Sequence, residues 1–301
     1  MEAWINGEFK GWDQANVSIL SHSFGRGSAI FEVMDVVAAE KGPAFFGLKE
    51  HIDRFLISAE LVYMDLPLGR DEIMAACIEA ARRNEVSHGA TKLFAYYPGI
   101  EFDVFPQNPE VHLAIFCVDF ATFGIKQDNL SAPTDVGIST VRKLHPETMP
   151  LHAKVCGSYV NGYLATAEVR KKGYADVINI DTNGFVAESA AASVFFVKDG
   201  VLKTARIENV LKGITRMAVI ELANDLGQPV EEVDTLPGEL FSMDEAFFSV
   251  SLKHIQPIRS IDGKTLGISC PGPVTRKIAG GMNRIYNGKN PKLANWLTYI
   301  R

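Results

Sequence analysis

Paired cysteines, a basic surplus and long apolar runs are all missing from this chain, and each absence narrows the reading. The four cysteines, Cys77, Cys117, Cys156 and Cys270, are scattered and form no CxxC pair. A disulfide framework, a zinc site or any other metal is therefore not expected, and a reducing compartment, the cytoplasm, fits better. No stretch approaches the roughly 20 apolar residues that would span a bilayer. The opening MEAWINGEFKGWD lacks the basic-then-apolar pattern of a signal peptide, so none is expected. With a formal net charge of −6, neither nucleic acid nor an anionic membrane is an expected partner. That sign does not bar anionic small molecules, because a pocket can be locally positive. The chain has no internal repeat and no low-complexity segment.

What is present is the composition of an ordinary globular α/β (α+β) protein: 47% hydrophobic and 22% charged residues over 301 positions. At roughly 100–200 residues per domain, that length suggests two domains. AWINGEF carries an Asn-Gly turn between β-prone runs and reads as a hairpin. The spacing of Ile52, Phe55, Leu56 and Ala59 predicts a helix over Lys49–Leu61, and a second helix opens at Asp71 as its cap. TKLFAYY and VHLAIFCVDF read as buried strands. ATFGIKQDNLSAPTD is polar and broken by Gly and Pro, so we expect an N-terminal domain over 1–120, a linker over 121–133 and a C-terminal domain over 134–301. In the latter, VGISTVRKL, DVINI, GFVAES, SVFFVKDGVLKTA and FFSVS read as strands. Ser158–Lys172 reads as a helix with Val160, Tyr163, Leu164 and Ala167 on one face, Gly213–Leu226 as another, and the C-terminal tail as helical.

Several reactive residues stand in a telling order. Lys154 is followed by Tyr159, then by Glu188, then by a Leu-x-Gly-Ile-Thr-Arg run, Leu211 to Arg216, that opens a helix. Pyridoxal phosphate requires such a set. Its aldehyde takes an amine, which only lysine provides, and its pyridine nitrogen needs a carboxylate to remain protonated. Its 3′-oxygen suits a tyrosine. Its phosphate suits the free N–H groups of a helix start, with hydroxyls and an arginine. Taken singly, Arg54 would serve equally as a salt bridge within its own helix, and Tyr159 as a half-buried aromatic.

The ordered motifs WINGEF, FGRGSAIFE, HIDRFLISA, AKVCGSY, VAESAAASVFF, LKGITR and FFSVSLKHIQPI resemble class IV (fold-type IV) aminotransferases across nearly the whole chain. That family includes branched-chain and D-amino-acid transaminases. The resemblance implies two domains with pyridoxal phosphate at their interface, a homodimer, and ping-pong transfer of an amino group between an amino acid and a 2-oxo acid. It implies that Lys154 forms the Schiff base and moves the proton, that Glu188 faces the pyridine nitrogen, and that Tyr159 lies by the 3′-oxygen. Arg54, in H-x-x-R, matches the phosphate arginine. Leu211 matches the residue packed on the ring, Gly213, Ile214 and Thr215 the phosphate-binding helix start, and Ser251 a phosphate-binding threonine.

The substrate is less sharply drawn. Phe31 opens FEVMD, closer to D-amino-acid than to branched-chain relatives, whereas Tyr159 and LKGITR lean the other way. The Y-x-R-P strand appears as Ala95-Tyr96-Tyr97-Pro98, so an arginine used near the substrate carboxylate is missing and Tyr97 stands in its place. Arg26, in FGRG, falls where relatives line the substrate pocket, and its fork matches a carboxylate. Lys92 matches a lysine of aminodeoxychorismate lyase, which keeps that reaction as the alternative. A catalytically silent binding protein is a third reading, opposed by the presence of Lys154, Tyr159 and Glu188 together. Arg142, Lys143 and His145 form a basic cluster that either lines the pocket or lies at a loop surface.

Overall fold

The computed structural model describes residues 1–125 and 131–300, so part of the expected 121–133 linker lies outside the described residues. By contact, the chain forms two compact units. One comprises residues 1–126, 152–158 and 285–301, the other residues 127–151 and 159–284.

In the first unit, β1 (Glu2–Ile5) and β2 (Glu8–Gly11) form the expected hairpin. Asn6 (φ 46°) and Gly7 (φ 92°) both lie in the left-handed region, as a tight turn of this hand requires. There follow α1 (His22–Arg26), β3 (Ile30–Ala39), β4 (Gly42–Phe46), α2 (Leu48–Leu61), α3 (Arg70–Arg83), β5 (Gly89–Tyr96) and β6 (His112–Asp119). The sheet runs from the C-terminal strand Leu297–Tyr299 through β4, β3, β5, β6 and β1 to β2, antiparallel throughout. Residues along β5 alternate between buried and half-buried, the period of two that TKLFAYY announced. As expected, α2 buries Ile52, Phe55 and Ala59. Gly69, rather than Asp71, caps α3: its N–H donates to the Glu72 carboxylate at 2.9 Å, and Asp71 lies inside the first turn. The tail is only partly helical. Its last strand pairs with β4, and Trp296 before it stacks on Phe46 with ring centroids 5.2 Å apart.

Residues 152–158 belong to this first unit and run back against β3. Val155 bridges Ile30, the Cys156 N–H donates to the Ala29 carbonyl, and the Gly157 N–H donates to the Gly27 carbonyl, both at 2.8 Å. Gly27 adopts φ 67°, and a Cβ on it would lie 2.9 Å from the Gly157 Cα. The glycines of the FGRG and AKVCG motifs thus touch, and neither tolerates a side chain at the crossing.

The second unit holds β7 (Thr134–Ile138), α4 (Tyr159–Lys171), β8 (Asp176–Ile178), β9 (Ser193–Lys198), β10 (Val201–Thr204), α5 (Ile214–Asp225), β11 (Val230–Glu232), β12 (Glu245–Val250), β13 (His254–Ile261), β14 (Lys264–Thr265) and most of α6 (Pro273–Tyr286). Its sheet order is β11-β10-β9-β12-β13-β7-β8, with β14 on β13. Parallel pairs at β10·β11, β13·β7 and β7·β8 make it mixed. Its core includes Val194, Phe196, Leu240 and Phe248. Asp199 and Gly200 make the turn between β9 and β10.

Three local expectations change here. The strand in VGISTVRKL ends at Ile138. GFVAES forms no strand and makes a single bridge, Ile180 to Val186. Helix α4 buries Gly162, Ala165 and Val169, whereas Val160, Tyr163 and Leu164 are exposed. The cause is the close packing of α4: a Cβ on Gly162 would lie 3.0 Å from the Ala190 Cβ, so only the small-residue face fits. Among the described residues, no helix is long and apolar enough to cross a membrane.

The glycine crossing gives a direct test. Gly27→Ala adds both a clash and a left-handed penalty, and we expect a loss of about 1–3 kcal/mol, read as a lower denaturation midpoint.

Candidate functional site

Lys154 is held by its backbone. Its N–H donates to the Ser58 Oγ at 3.0 Å, and its carbonyl accepts the Phe31 N–H, also at 3.0 Å. Ser58 is buried on α2 and donates its own hydroxyl to the Arg54 carbonyl at 2.8 Å. The Lys154 Nζ lies 4.6 Å from the Phe31 ring centroid, a cation–π distance. The Lys92 Nζ is 5.5 Å from that ring and 4.8 Å from the Phe94 ring. The Phe31 ring thus has the ammonium groups of both Lys154 and Lys92 near it.

Arg54 makes its ion pair with β3, not within its own helix. Its Nε and Nη2 donate to the two oxygens of Glu32 at 2.7 and 2.6 Å, a bidentate fork. The His51 Nδ1 donates to Glu32 Oε2 at 2.7 Å. All three side chains are buried. Burial by itself would raise the Glu32 carboxyl, but the charges and hydrogen bonds of Arg54 and His51 bring it down to about 2. Burial lowers His51 from its ordinary value, outweighing Glu32, and the Arg54 and Lys154 charges push the same way. A neutral imidazole donating from Nδ1 satisfies that geometry.

Neither Glu32 nor His51 was singled out from the sequence. Two signals pointed to them: a lone acid inside the apolar run IFEVM, and a histidine three residues before Arg54, hence on the same helical face. Ser58 carried no signal of its own.

In the second unit Glu188 is nearly buried. Its Oε1 accepts the Leu211 N–H at 3.2 Å and forms an ion pair with the Lys143 Nζ. The basic cluster around Lys143 thus reaches Glu188 through one member, a link the sequence left open. Gly213 caps α5 at φ −65°, ψ 127° with no side-chain acceptor on the helix start, so the first-turn N–H groups around Ile214 and Thr215 face outward from the helix. A Cβ on Gly213 would come within 2.8 Å of the Ser193 Oγ. Tyr159 begins α4, and Ser251 lies in the turn after β12; both are half-buried.

Arg26 and Tyr97 make their contacts with other residues of the first unit. Arg26 ends α1, is exposed, and donates from Nη2 to the Phe102 carbonyl at 2.8 Å. It has no carboxylate partner among the described residues. Tyr97 is buried against His22, edge to face with centroids 5.5 Å apart, and its N–H donates to the Ser23 Oγ. A cavity of about 300 Å³ in this unit is lined by Ala29, Phe94, Tyr96, Phe116 and Cys156 with the apolar residues of β1 and the Val17–Phe24 stretch. Strand register puts Phe31, Lys92, Phe94 and Phe116 on that same face of the sheet.

The family model for amino-transferase class IV matches residues 29–261. A branched-chain-amino-acid aminotransferase of Escherichia coli (strain K12) is 32% identical, over 99% of this chain and 96% of its own length. Among solved structures, the branched-chain aminotransferase of Thermoproteus uzoniensis with norvaline superposes with a TM-score of 0.93 at 32% identity, covering 100% of this chain and 99% of that one. The branched-chain amino acid aminotransferase of Thermobaculum terrenum in its PLP-form gives 0.91 at 27%, covering 100% of this chain and 98% of its own.

The buried ion cluster sets an acid limit. Glu32 is held below its ordinary 4.5, so its contribution is whole above about pH 5 and drains as pH falls toward 2. His51, lowered from 6.5, has the same sign: the folded state resists its protonation, so stability falls with acid. Glu32→Gln leaves Arg54 buried beside a neutral amide and is expected to cost about 3–5 kcal/mol at pH 7. The loss should shrink on going to pH 3, which urea midpoints at the two pH values would measure.

Proposed function

The chain belongs to the class IV aminotransferases, and within that family we propose that it moves the amino group of branched-chain L-amino acids to a 2-oxo acid. It is a pyridoxal-phosphate-dependent aminotransferase; the donor, the ping-pong order and the dimer are our proposal. One observation carries the aliphatic donor: the Lys154 amine stands over Phe31 on a sheet face that continues into an apolar cavity of about 300 Å³. The names of the relatives point the same way, over nearly the full chain. They do not favour the aminodeoxychorismate lyase reading.

The residues fit the cofactor. The helix start at Gly213 has first-turn N–H groups with no side-chain cap and a cradle that a Cβ would fill. Such a site suits a phosphate, with Ile214 and Thr215 as amide and hydroxyl donors and Ser251 and Arg54 as further contacts. Glu188 would be the carboxylate for the ring nitrogen, Leu211 would pack on the ring, and Tyr159 would serve the 3′-oxygen. When bound, pyridoxal phosphate supplies an aldehyde for the amine and an electron-withdrawing ring that acidifies the substrate C–H. Lys154 would hold it through Nζ and, as a free amine, would take the donor's α-proton at that nitrogen and pass it on within the same half of the cycle, the second half running in reverse. The two backbone bonds of Lys154 keep the side chain's origin fixed while its tip moves.

For the substrate carboxylate we assign Lys92, which shares the Phe31 ring with Lys154, and Arg26, whose charge has no acid partner among the described residues. Phe31 and Tyr97 shape the apolar side. Exposed apolar residues occur in both units: Phe24, Phe102, Val104 and Phe105 in one, Val160, Tyr163 and Leu164 in the other. A second copy would cover them, which supports a homodimer. The free cysteines accord with a cytoplasmic enzyme.

A half-reaction screen tests the donor. The yellow enzyme mixed with L-leucine should bleach within seconds, whereas D-alanine and (R)-1-phenylethylamine should leave its absorbance unchanged. Bleaching by the D-amino acid or the amine, with L-leucine inert, would overturn the reading. Arg26→Ala is expected to raise the apparent KM for donors about tenfold or more; an unchanged KM would remove Arg26 from the carboxylate site. Val104→Asp should shift sedimentation from dimer toward monomer.

A further inference from the structure

We propose that Lys143 is a positioning residue that orients Glu188 for the cofactor's ring nitrogen; the proposal rests on the reading of Glu188 given above. The pair is built, not incidental. The Lys143 N–H donates to the Ile180 carbonyl at 2.9 Å. Glu188 hangs on the neighbouring residue: its carbonyl accepts the Asn179 N–H, also at 2.9 Å. Ile180 and Val186 bridge one another, so a single two-residue step, 179–180, carries the backbones of both partners. The side chains are 19% and 8% exposed, far from a solvated surface lysine.

The contacts on the carboxylate are asymmetric. The Lys143 ammonium and the Leu211 N–H both fall on Oε1. Oε2 is left as the oxygen for the ring nitrogen, and with Oε1 held the carboxylate plane cannot swing. A nearly buried carboxylate without that anchor would turn to find other donors, because leaving it unpaired is costly. Lys143 does not need to touch the cofactor. It acts through Glu188.

Orientation and mere charge neutralisation predict different things. A lysine that only neutralises a buried acid would, once removed, weaken the apoprotein and all cofactor binding alike. One that aims Glu188 would affect only a cofactor that has a ring nitrogen. Apoprotein should therefore be titrated with pyridoxal 5′-phosphate and with its 1-deaza analogue, by quenching of tryptophan fluorescence, and the two Kd values compared. In the unaltered protein the natural cofactor should bind more tightly than the analogue. In Lys143→Met that preference should fall about tenfold, while the Kd for the analogue stays within about threefold. Lys143→Arg, which keeps the charge and a donor, should retain the preference. Lys143→Gln provides a second neutral variant should the methionine form fold poorly, and the same loss is expected of it.

A neutral variant that keeps the full preference would overturn the proposal. So would an equal weakening of both ligands. Glu188→Gln separates the two levels: it should abolish the preference whether or not Lys143 matters. If Glu188→Gln leaves the preference intact, the assignment of Glu188 to the ring nitrogen fails, and the role of Lys143 falls with it.

Discussion

A carboxylate with no solvent exposure is the constraint from which the first unit is organised. Glu32 lies on β3 next to Phe31, whose N–H holds the Lys154 carbonyl. Its partner Arg54 lies on α2 one turn before Ser58, which holds the Lys154 N–H. The two elements that must meet to satisfy the buried ion pair are therefore the two that mount Lys154. A strand and a helix packed only by apolar contacts could slide by a fraction of a turn. A bidentate pair with a third bond from His51 does not slide without exposing a charge to an apolar interior.

The second unit solves a similar problem with less burial. Glu188 is held there by the Lys143 ammonium and the Leu211 N–H, and the start of α5 at Gly213 leaves its backbone N–H groups without a side-chain cap. A chain of net charge −6 thus gathers cations and N–H groups at a few chosen points. Sign at the scale of the whole molecule says little about sign at the scale of one side chain.

What was legible in the sequence was whatever local periodicity and turn chemistry decide. The Asn-Gly hairpin, the 3.6-residue pattern of α2 and the alternation in β5 are properties of neighbours along the chain. Helix α4 went the other way because its face was chosen by a long-range neighbour. Gly162 must pass Ala190, so the small residues turn inward and the large apolar ones outward. GFVAES reads as a strand yet forms one isolated bridge, Ile180 to Val186, with separate backbone bonds around it rather than a ladder. The motif residues around Lys154, Glu188 and Gly213 stood out by their order, but their partners did not. Glu32, Ser58 and Lys143 matter through hydrogen bonds across 22, 96 and 45 positions of sequence, which no pattern along the chain encodes. The return of residues 152–158 to the first unit is of the same kind. It depends on two glycines, 27 and 157, meeting at a crossing.

The mounting of Lys154 has one more implication. Both of its fixed bonds involve the main chain, through Ser58 and Phe31, and neither consults the side chain. The position is in effect a socket: the scaffold specifies where a group begins and leaves open what the group is. Substituting this residue should silence the chemistry while sparing the architecture, so that a small amine supplied from solution could take over the vacated role. Evolution could exchange the reactive tip, or discard it and keep a binding protein, without first having to redesign the frame.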